Sequence, residues 1–327
     1  MLSHSIFFVS SRIFCLTNTV QERKIIAEGG NGMKRGFCAV LVLLFILFSP
    51  VSVARTEVRR HPMLDCALTM LEKNNLFLLR YNEITGADLE AVFDEGVPYF
   101  FGGIANDYMF SMAPRYRTFA CWMSSDYFKK DQYYCYGLDC AGFTQMILSK
   151  CGMPKHDTLE NMILNWWQYE QEGHHLFNQR PGHEMPAFDQ LKDTLQVGDF
   201  FVARHTGAKY RHIMMYIGTP RDFGFTAENA PELAAYLDYP LVIHCGLSPV
   251  YGERIQQYMD ARPEIYQGCN TTDGGVQVSI LGVRPEDAPI HRHVQNTDYA
   301  YFLLDDGRTV LTVWDAFDVS SYCWFRM

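Results

Sequence analysis

The sequence predicts an α+β fold in which helices come first along the chain and an antiparallel sheet follows. Two observations predict this class, and a third predicts the number of domains. Apolar residues recur at helical spacing over residues 64–79. After residue 190 the pattern changes to short runs that are rich in β-branched and aromatic residues. No internal repeat or low-complexity linker interrupts residues 55–327, so we expect them to form one domain.

Two further helices are predicted from capping-box signals, in which a side-chain acceptor is followed three residues later by an acidic residue. The first signal begins at Thr85 and predicts a helix to about residue 94. The second begins at Asp157 and predicts a helix that ends near Gly173. These segments add to the helical first half of the fold.

The strands are predicted from short apolar runs bounded by turn residues. The five runs are residues 200–203, 213–217, 241–244, 276–281 and 299–304. Asp306-Gly307 is a typical hairpin turn, so a sixth strand over residues 309–314 should pair with the fifth.

Composition narrows the class of protein. The chain has 327 residues, of which 48% are hydrophobic and 20% charged, so there is enough apolar surface for a core. Extended disorder, collagen and coiled coil are excluded. The net charge is −9 and no run of lysine or arginine could neutralise successive phosphates, so we expect no nucleic-acid partner.

The first 54 residues are typical of a segment that is processed. Met33-Lys34-Arg35 precedes an apolar run over 37–48 and small residues up to Ala54, which is the order of a secretory signal peptide. We expect residues 1–32 to be a wrongly assigned start and residues 33–54 to be cleaved. The apolar run is shorter than the ~20 residues that span a bilayer, although an uncleaved anchor stays an alternative. The mature chain is therefore expected to be secreted or periplasmic, with no stable membrane span.

Cys140 stands at the beginning of a predicted helix, because residues 137–143 run into the helical composition of residues 144–148. Unpaired backbone N–H groups in the first turn of a helix stabilise a thiolate. We therefore expect a lowered pKa for this thiol. A buried structural or disulfide-bonded cysteine is the alternative interpretation.

Two histidines occupy matching places on neighbouring predicted strands. His212 begins one strand and His244 ends the next. We expect them to align laterally and to face a helix that packs on the sheet. A base and an orienting group placed in this way can activate a thiol nucleophile.

Five segments of the chain form an ordered set. They are Val97-Pro98-Tyr99-Phe100-Phe101-Gly102-Gly103, Gly137-Leu138-Asp139-Cys140-Ala141-Gly142-Phe143, Val197-Gly198-Asp199, residues 212–218 and Ile243-His244. Taken in this order, they resemble the NlpC family of papain-like bacterial cell-wall cysteine peptidases. The resemblance covers about residues 96–250 and implies a papain-like (NlpC-type) fold. It implies no metal and no organic cofactor.

The resemblance also assigns roles to individual residues. It implies that Cys140 is the nucleophile, that His212 is its base and that His244 orients His212. Tyr99 matches the family's active-site tyrosine, which lies near the cysteine. Asp139, directly before the nucleophile, is expected to contribute to substrate binding.

The chain departs from the family pattern in segments that are expected to bind the substrate. Ala141 stands where the family usually has serine, and an aromatic-rich insert occupies residues 104–136. Arg115, Arg117 and Arg204 lie in or near segments that should border the cleft. We expect these arginines to pair with a carboxylate of the substrate.

The resemblance predicts a secreted cysteine endopeptidase that hydrolyses peptidoglycan stem peptides, at the bond between γ-linked D-glutamate and the diamino acid. Peptidoglycan-derived peptides are the expected partners. An amidase or acyltransferase on the same fold and a non-catalytic envelope-binding module stay alternatives. No metal is expected, because His174-His175 and His291-x-His293 have no carboxylate or cysteine at ligand spacing.

Overall fold

A computed structural model describes a large part of the chain within one compact unit, Thr56–Met327. The described residues are 60–99, 137–153, 175–177, 188, 190, 193–204, 210–266, 274–294, 297–314 and 322–326. Residues 1–54, which are predicted to be processed, the insert 104–136 and the predicted helix over 157–173 lie outside them.

The described helices and one nine-stranded sheet confirm the α+β class. The helices are α1 (Pro62–Leu68), α2 (Leu76–Thr85), α3 (Cys140–Lys150), α4 (Tyr251–Ala261) and α5 (Pro263–Tyr266), with 3-10 turns at Pro220–Phe223, Pro231–Leu233 and Pro285–Asp287. In the described part of the chain, no helix combines the length and the apolar composition that crossing a membrane requires.

The first predicted helix is in fact two helices, because Asn75 begins a new one. Its side-chain oxygen accepts a hydrogen bond of 3.1 Å from the backbone N–H of Phe77, which caps the start of α2. The turn between α1 and α2 lies inside the predicted span of 64–79.

The helix predicted to begin at Thr85 is absent, and α2 ends at that residue. Gly86 follows in the left-handed region, at φ +67°, which terminates the helix. The side chain of Asn82 then bonds both the backbone N–H and the carbonyl of Leu89, which holds residues 86–90 in an irregular loop. The spacing of Thr85 and Asp88 resembles a capping box, but the left-handed conformation of Gly86 ends the helix there.

The nine strands lie in the order β1-β9-β2-β3-β4-β5-β8-β7-β6. Their bounds are β1 His175–Phe177, β2 Phe200–Arg204, β3 Tyr210–Gly218, β4 Leu241–Leu247, β5 Gly274–Leu281, β6 Ile290–Val294, β7 Thr297–Leu303, β8 Val310–Trp314 and β9 Tyr322–Arg326. All six predicted strands are present, and the hairpin at Asp306-Gly307 joins β7 to β8.

One pair of strands departs from the expected antiparallel sheet. β5 and β8 are parallel, with Val278 beside Leu311 and Ile280 beside Val313. Two strands, β6 and β7, lie between β5 and β8 in the chain. β8 then pairs with β7 on one side and runs parallel to β5 on the other. The last third of the chain thus extends the sheet directly beside β4, while β9 extends it on the other side beside β2.

The helices cover one face of the sheet. Leu64, Phe77 and Phe143 of α1, α2 and α3 belong to one buried cluster with Ile213 and Ile243 of β3 and β4. Successive side chains of a strand point to opposite faces, so the residues between these point away from the helices. On that second face lies a smaller cluster, formed by Phe201, Met214, Tyr216, Val242 and Leu281.

A buried carboxylate joins the helical layer to the C-terminal part of the chain. Glu72, only 3% exposed, lies 2.9 Å from Nη1 of Arg254 and 2.9 Å from the hydroxyl of Tyr258, and it also contacts the guanidinium of Arg308. It thereby links the turn after α1 to α4 and to the β7–β8 hairpin.

A second buried carboxylate fixes the last strand. Asp199, 1% exposed, accepts two hydrogen bonds from Arg326, from Nε at 2.8 Å and from Nη2 at 2.7 Å. It also accepts one from the backbone N–H of Gln196. This fork geometry anchors β9 to the Val197-Gly198-Asp199 turn that begins β2.

We predict that Glu72→Gln lowers the free energy of unfolding by about 3 kcal/mol, because the partly buried Arg254 and Arg308 would keep their charges without an ionised partner. Urea denaturation at pH 7 measures this. Glu253→Gln is the matched control, since Glu253 is 62% exposed and its ion pair with Arg292 is a surface pair that contributes little. Equal losses in the two variants would contradict the assignment.

Candidate active site

Cys140 is the first residue of α3, as predicted. The carboxylate of Asp139 caps this helix by accepting a 2.7 Å hydrogen bond from the backbone N–H of Gly142. The cap fixes the backbone from which the thiol projects. Asp139 therefore has a structural contact, and its predicted role in substrate binding stays a prediction.

The thiol lies where the pairing of β3 and β4 ends. These strands pair through Met215 with Ile243 and Tyr216 with Val242, whereas the described start of β3 pairs only with β2. The N–H of Tyr216 points to β2, so the N–H of Ile213 points to the opposite side, toward β4. That N–H lies close enough to the Cys140 thiol to favour the thiolate. Cys140 thus contacts the residue next to His212.

The two histidines are in direct contact. Nε2 of His212 lies 2.9 Å from Nδ1 of His244, and the ring centroids are 4.7 Å apart. The predicted lateral alignment is confirmed. The predicted face is wrong, because Ile213 and Ile243 point toward the helices and the two histidines alternate with them.

The thiol and the imidazole therefore approach the opening between β3 and β4 from opposite faces of the sheet. No hydrogen bond joins Cys140 to His212 among the described residues. Catalytic contacts are often long in the absence of substrate and shorten when it binds. Nδ1 is the ring atom of His212 that remains for the thiol, since Nε2 bonds His244.

Two hydroxyl groups continue the contact behind His244. Nε2 of His244 lies 2.8 Å from Oγ of Ser279, and Ser279 in turn contacts Oγ1 of Thr312. Ser279 is on β5 and Thr312 on β8, and both are buried. Sequence reasoning missed these residues, because nothing in the sequence indicates that β8 returns beside β5.

An aromatic ring packs against the imidazoles. The indole of Trp314 stacks on His212 with an angle of 7° between the planes and 5.4 Å between centroids, and it meets His244 edge-on. Gly246 also leaves space that the rings need, because a Cβ there would lie 3.2 Å from Cε1 of His212. The stacked indole and the absence of a side chain at Gly246 thus restrict where the His212 ring can lie.

Tyr99 lies near the nucleophile, as the resemblance implies. Its backbone forms a bridge with Leu138, two residues before Cys140. Burial, followed by the nearby Cys140 and Asp139, raises the pKa of Tyr99 to about 12, so its phenol stays protonated and can donate a hydrogen bond. The same segment is held by the buried thiol of Cys245, which donates to the carbonyl of Leu138 at 3.0 Å.

Burial determines the protonation of the reacting groups. It raises the pKa of Cys140 to about 11 and outweighs the backbone N–H groups of Ile213, Ala141 and Cys140, which favour the thiolate. The lowered pKa expected from the helix start is therefore wrong. Burial also lowers the pKa of His212 to about 4, and with His212 it lowers that of His244 well below its ordinary value. At neutral pH the site holds a thiol and two uncharged imidazoles.

The predicted arginines are not brought to the site by any described contact. Arg204 ends β2, and its side chain lies outside the described part, as do Arg115 and Arg117. Among the described residues, no group of three or more histidine, cysteine or acidic side chains could hold a metal ion. His293 instead contacts the carboxylate of Asp298 at 2.7 Å on the exposed β6–β7 hairpin.

Comparison with family models, with curated proteins and with solved structures finds no match to this chain.

We predict that alkylation of Cys140 by iodoacetamide is slow at pH 7 and rises about tenfold per pH unit from pH 6 to 10, because the thiolate reacts and the pKa is about 11. Mass spectrometry of the peptide that contains Cys140 gives the rate. Urea-unfolded protein is the control, and its Cys140 should react much faster at pH 8. A rate that is constant between pH 6 and 8 would indicate a thiolate–imidazolium pair instead.

We predict that acid destabilises the fold between pH 6.5 and 4. The unfolded chain binds protons on these histidines below pH 6.5, while native His212 stays neutral down to pH 4, so stability falls by up to roughly 3 kcal/mol from this residue. Urea denaturation across this range measures the loss. It should be smaller in His212→Asn and unchanged in His291→Asn, a substitution on the exposed hairpin. A loss of the same size in His212→Asn would contradict the prediction.

Proposed function

We propose that the protein is a cysteine hydrolase of papain-like fold that cleaves an amide bond through an acyl-enzyme. The observation that carries this proposal is the contact of the Cys140 thiol with the backbone N–H of Ile213, the residue after His212 in β3, together with the hydrogen bond between His212 and His244. A nucleophile, a base and a group that orients the base are the parts that covalent acyl transfer needs.

The first half of the reaction forms the acyl-enzyme. Sγ of Cys140 attacks the amide carbonyl carbon while its proton passes to Nδ1 of His212. A neutral imidazole is required for this step, and a pKa near 4 keeps His212 neutral at physiological pH. The backbone N–H of Cys140 and the phenol of Tyr99 are the donors proposed for the oxyanion.

The imidazolium of His212 then protonates the leaving nitrogen, and the carbon–nitrogen bond breaks. In the second half, water gives a proton to His212 and its oxygen attacks the thioester carbonyl. The carbon–sulfur bond breaks, the acid product leaves, and the proton returns to Cys140. The buried His244 stays uncharged throughout and accepts the Nε2–H of His212, which keeps Nδ1 directed toward the thiol.

The substrate proposed from the resemblance to the NlpC family is the peptide stem of peptidoglycan, cut between γ-linked D-glutamate and the diamino acid. The net charge of −9 offers no overall attraction to this acidic peptide. Local cations must therefore bind its carboxylate, and Arg115, Arg117 and Arg204 are the residues proposed for it.

We predict that the purified protein cleaves soluble muropeptides at this bond, as measured by mass spectrometry of the products. Cys140→Ala should abolish turnover, and His212→Ala should lower it about 10³-fold, because the two act as a unit. His244→Gln should lose less than His244→Ala, since a side-chain amide can still hold the imidazole of His212.

The matched controls are Cys151→Ala and His291→Ala, which change the same residue types elsewhere on the fold and should keep full activity. Three results would contradict the peptidase assignment. A released or transferred acyl chain would indicate an acyltransferase, and a cut at the amide between sugar and alanine would indicate an amidase. Binding of intact muropeptide with no turnover and no effect of Cys140→Ala would indicate a binding module.

A further inference from the structure

The buried polar contacts behind the two imidazoles form a continuous row. His212, His244, Ser279 and Thr312 lie on adjacent strands β3, β4, β5 and β8, and each bonds the next through side-chain atoms. Thr312 lies beside Ser279 in the parallel register of β5 and β8. We call Ser279 and Thr312 the hydroxyl pair.

The direction of the hydrogen bonds in this row decides which nitrogen of His212 can accept a proton. A neutral imidazole has one N–H and one acceptor nitrogen. If Nε2 of His212 donates to Nδ1 of His244, then His244 carries its proton on Nε2 and donates to Ser279. In the reverse direction, His244 donates to His212, whose proton must then sit on Nδ1. Only the first direction leaves Nδ1 of His212 as a base.

We propose that Ser279 and Thr312 are positioning residues that accept the hydrogen-bond chain from His244 and so keep Nδ1 of His212 unprotonated. This inference rests on the proposed function and extends it to strands beyond the segments that resemble the NlpC family. A serine hydroxyl can donate or accept, so Ser279 is restricted to accepting from His244 only while its own O–H is donated to Thr312. A buried imidazole N–H without an acceptor is unfavourable, so this arrangement favours the proton on Nε2 of His244.

The geometry of the sheet makes this role specific to the hydroxyl pair. Ser279 is fully buried and Thr312 is 3% exposed, so water does not replace either hydroxyl easily. Alternation along the strands places both on the face that carries the imidazoles. Trp314, two residues after Thr312 on β8, stacks on His212 from the same face.

The test measures tautomers and turnover in the full chain. With ¹⁵N-labelled histidine, long-range ¹H–¹⁵N spectra at pH 7 should show both His212 and His244 in the Nε2–H form. In Ser279→Ala, His244 loses its acceptor, so both rings should shift toward the Nδ1–H form. We expect kcat on muropeptides to fall about tenfold at constant KM.

Thr312→Val and Thr312→Ser form the decisive pair, because valine keeps the shape and removes the hydroxyl, whereas serine keeps the hydroxyl. Valine should shift the tautomers in the same direction as Ser279→Ala, and serine should restore them together with kcat. Thr309→Val is the control. Thr309 directly precedes β8, and its buried hydroxyl bonds the carboxylate of Asp306 and not the row that contains the imidazoles. It should leave both tautomers unchanged.

Unchanged tautomers in both Ser279→Ala and Thr312→Val would overturn the inference, as would equal losses of kcat in Thr312→Val and Thr312→Ser. If Ser279→Ala does not fold, the Thr312 pair decides. Absence of thiol-dependent hydrolysis in the wild type would instead overturn the proposed function, and the spectra would still decide whether the hydroxyl pair sets the tautomers.

Discussion

The hydrogen bond between Nε2 of His212 and Nδ1 of His244 can form only while at least one of the two nitrogens lacks a proton, and burial keeps both rings uncharged. Much of the surrounding structure meets that requirement. Desolvation by the sheet disfavours the imidazolium, Gly246 gives the rings room to meet, and Trp314 covers His212. In the proposed site, an uncharged His244 would hold His212 by this hydrogen bond but would stabilise an imidazolium less than a carboxylate would.

The same burial keeps Cys140 protonated, so the resting site holds a thiol and not an ion pair. In the proposed reaction, the attack is therefore coupled to transfer of the thiol proton across the opening between β3 and β4. The proposed substrate would enter this opening, bring carbonyl carbon, thiol and imidazole together and exclude water from them. The backbone N–H of Ile213 lies beyond the paired part of β3 and β4, and it favours negative charge on the sulfur of Cys140.

The segments that resemble the NlpC family do not complete the site by themselves. β5 and β8 come from the last third of the chain and supply Ser279, Thr312 and Trp314. Two buried carboxylates hold this part of the chain in place. Glu72 binds Arg254 and Arg308, and Asp199 binds Arg326 of β9, so each pair joins distant parts of the chain. The energetic cost of burying these charges is offset because each carboxylate accepts several hydrogen bonds.

The sequence by itself determined the features that depend on local spacing. The α+β class, the six predicted strands, the helix that begins at Cys140 and the matching positions of His212 and His244 follow from periodicity and end signals over a few residues. The tertiary structure decided what depends on distant contacts. Which face carries the imidazoles depends on where the helices pack, and the parallel return of β8 brings Thr312 to Ser279. The raised pKa of Cys140 arises from burial, which a local sequence pattern does not specify because the covering atoms come from other elements.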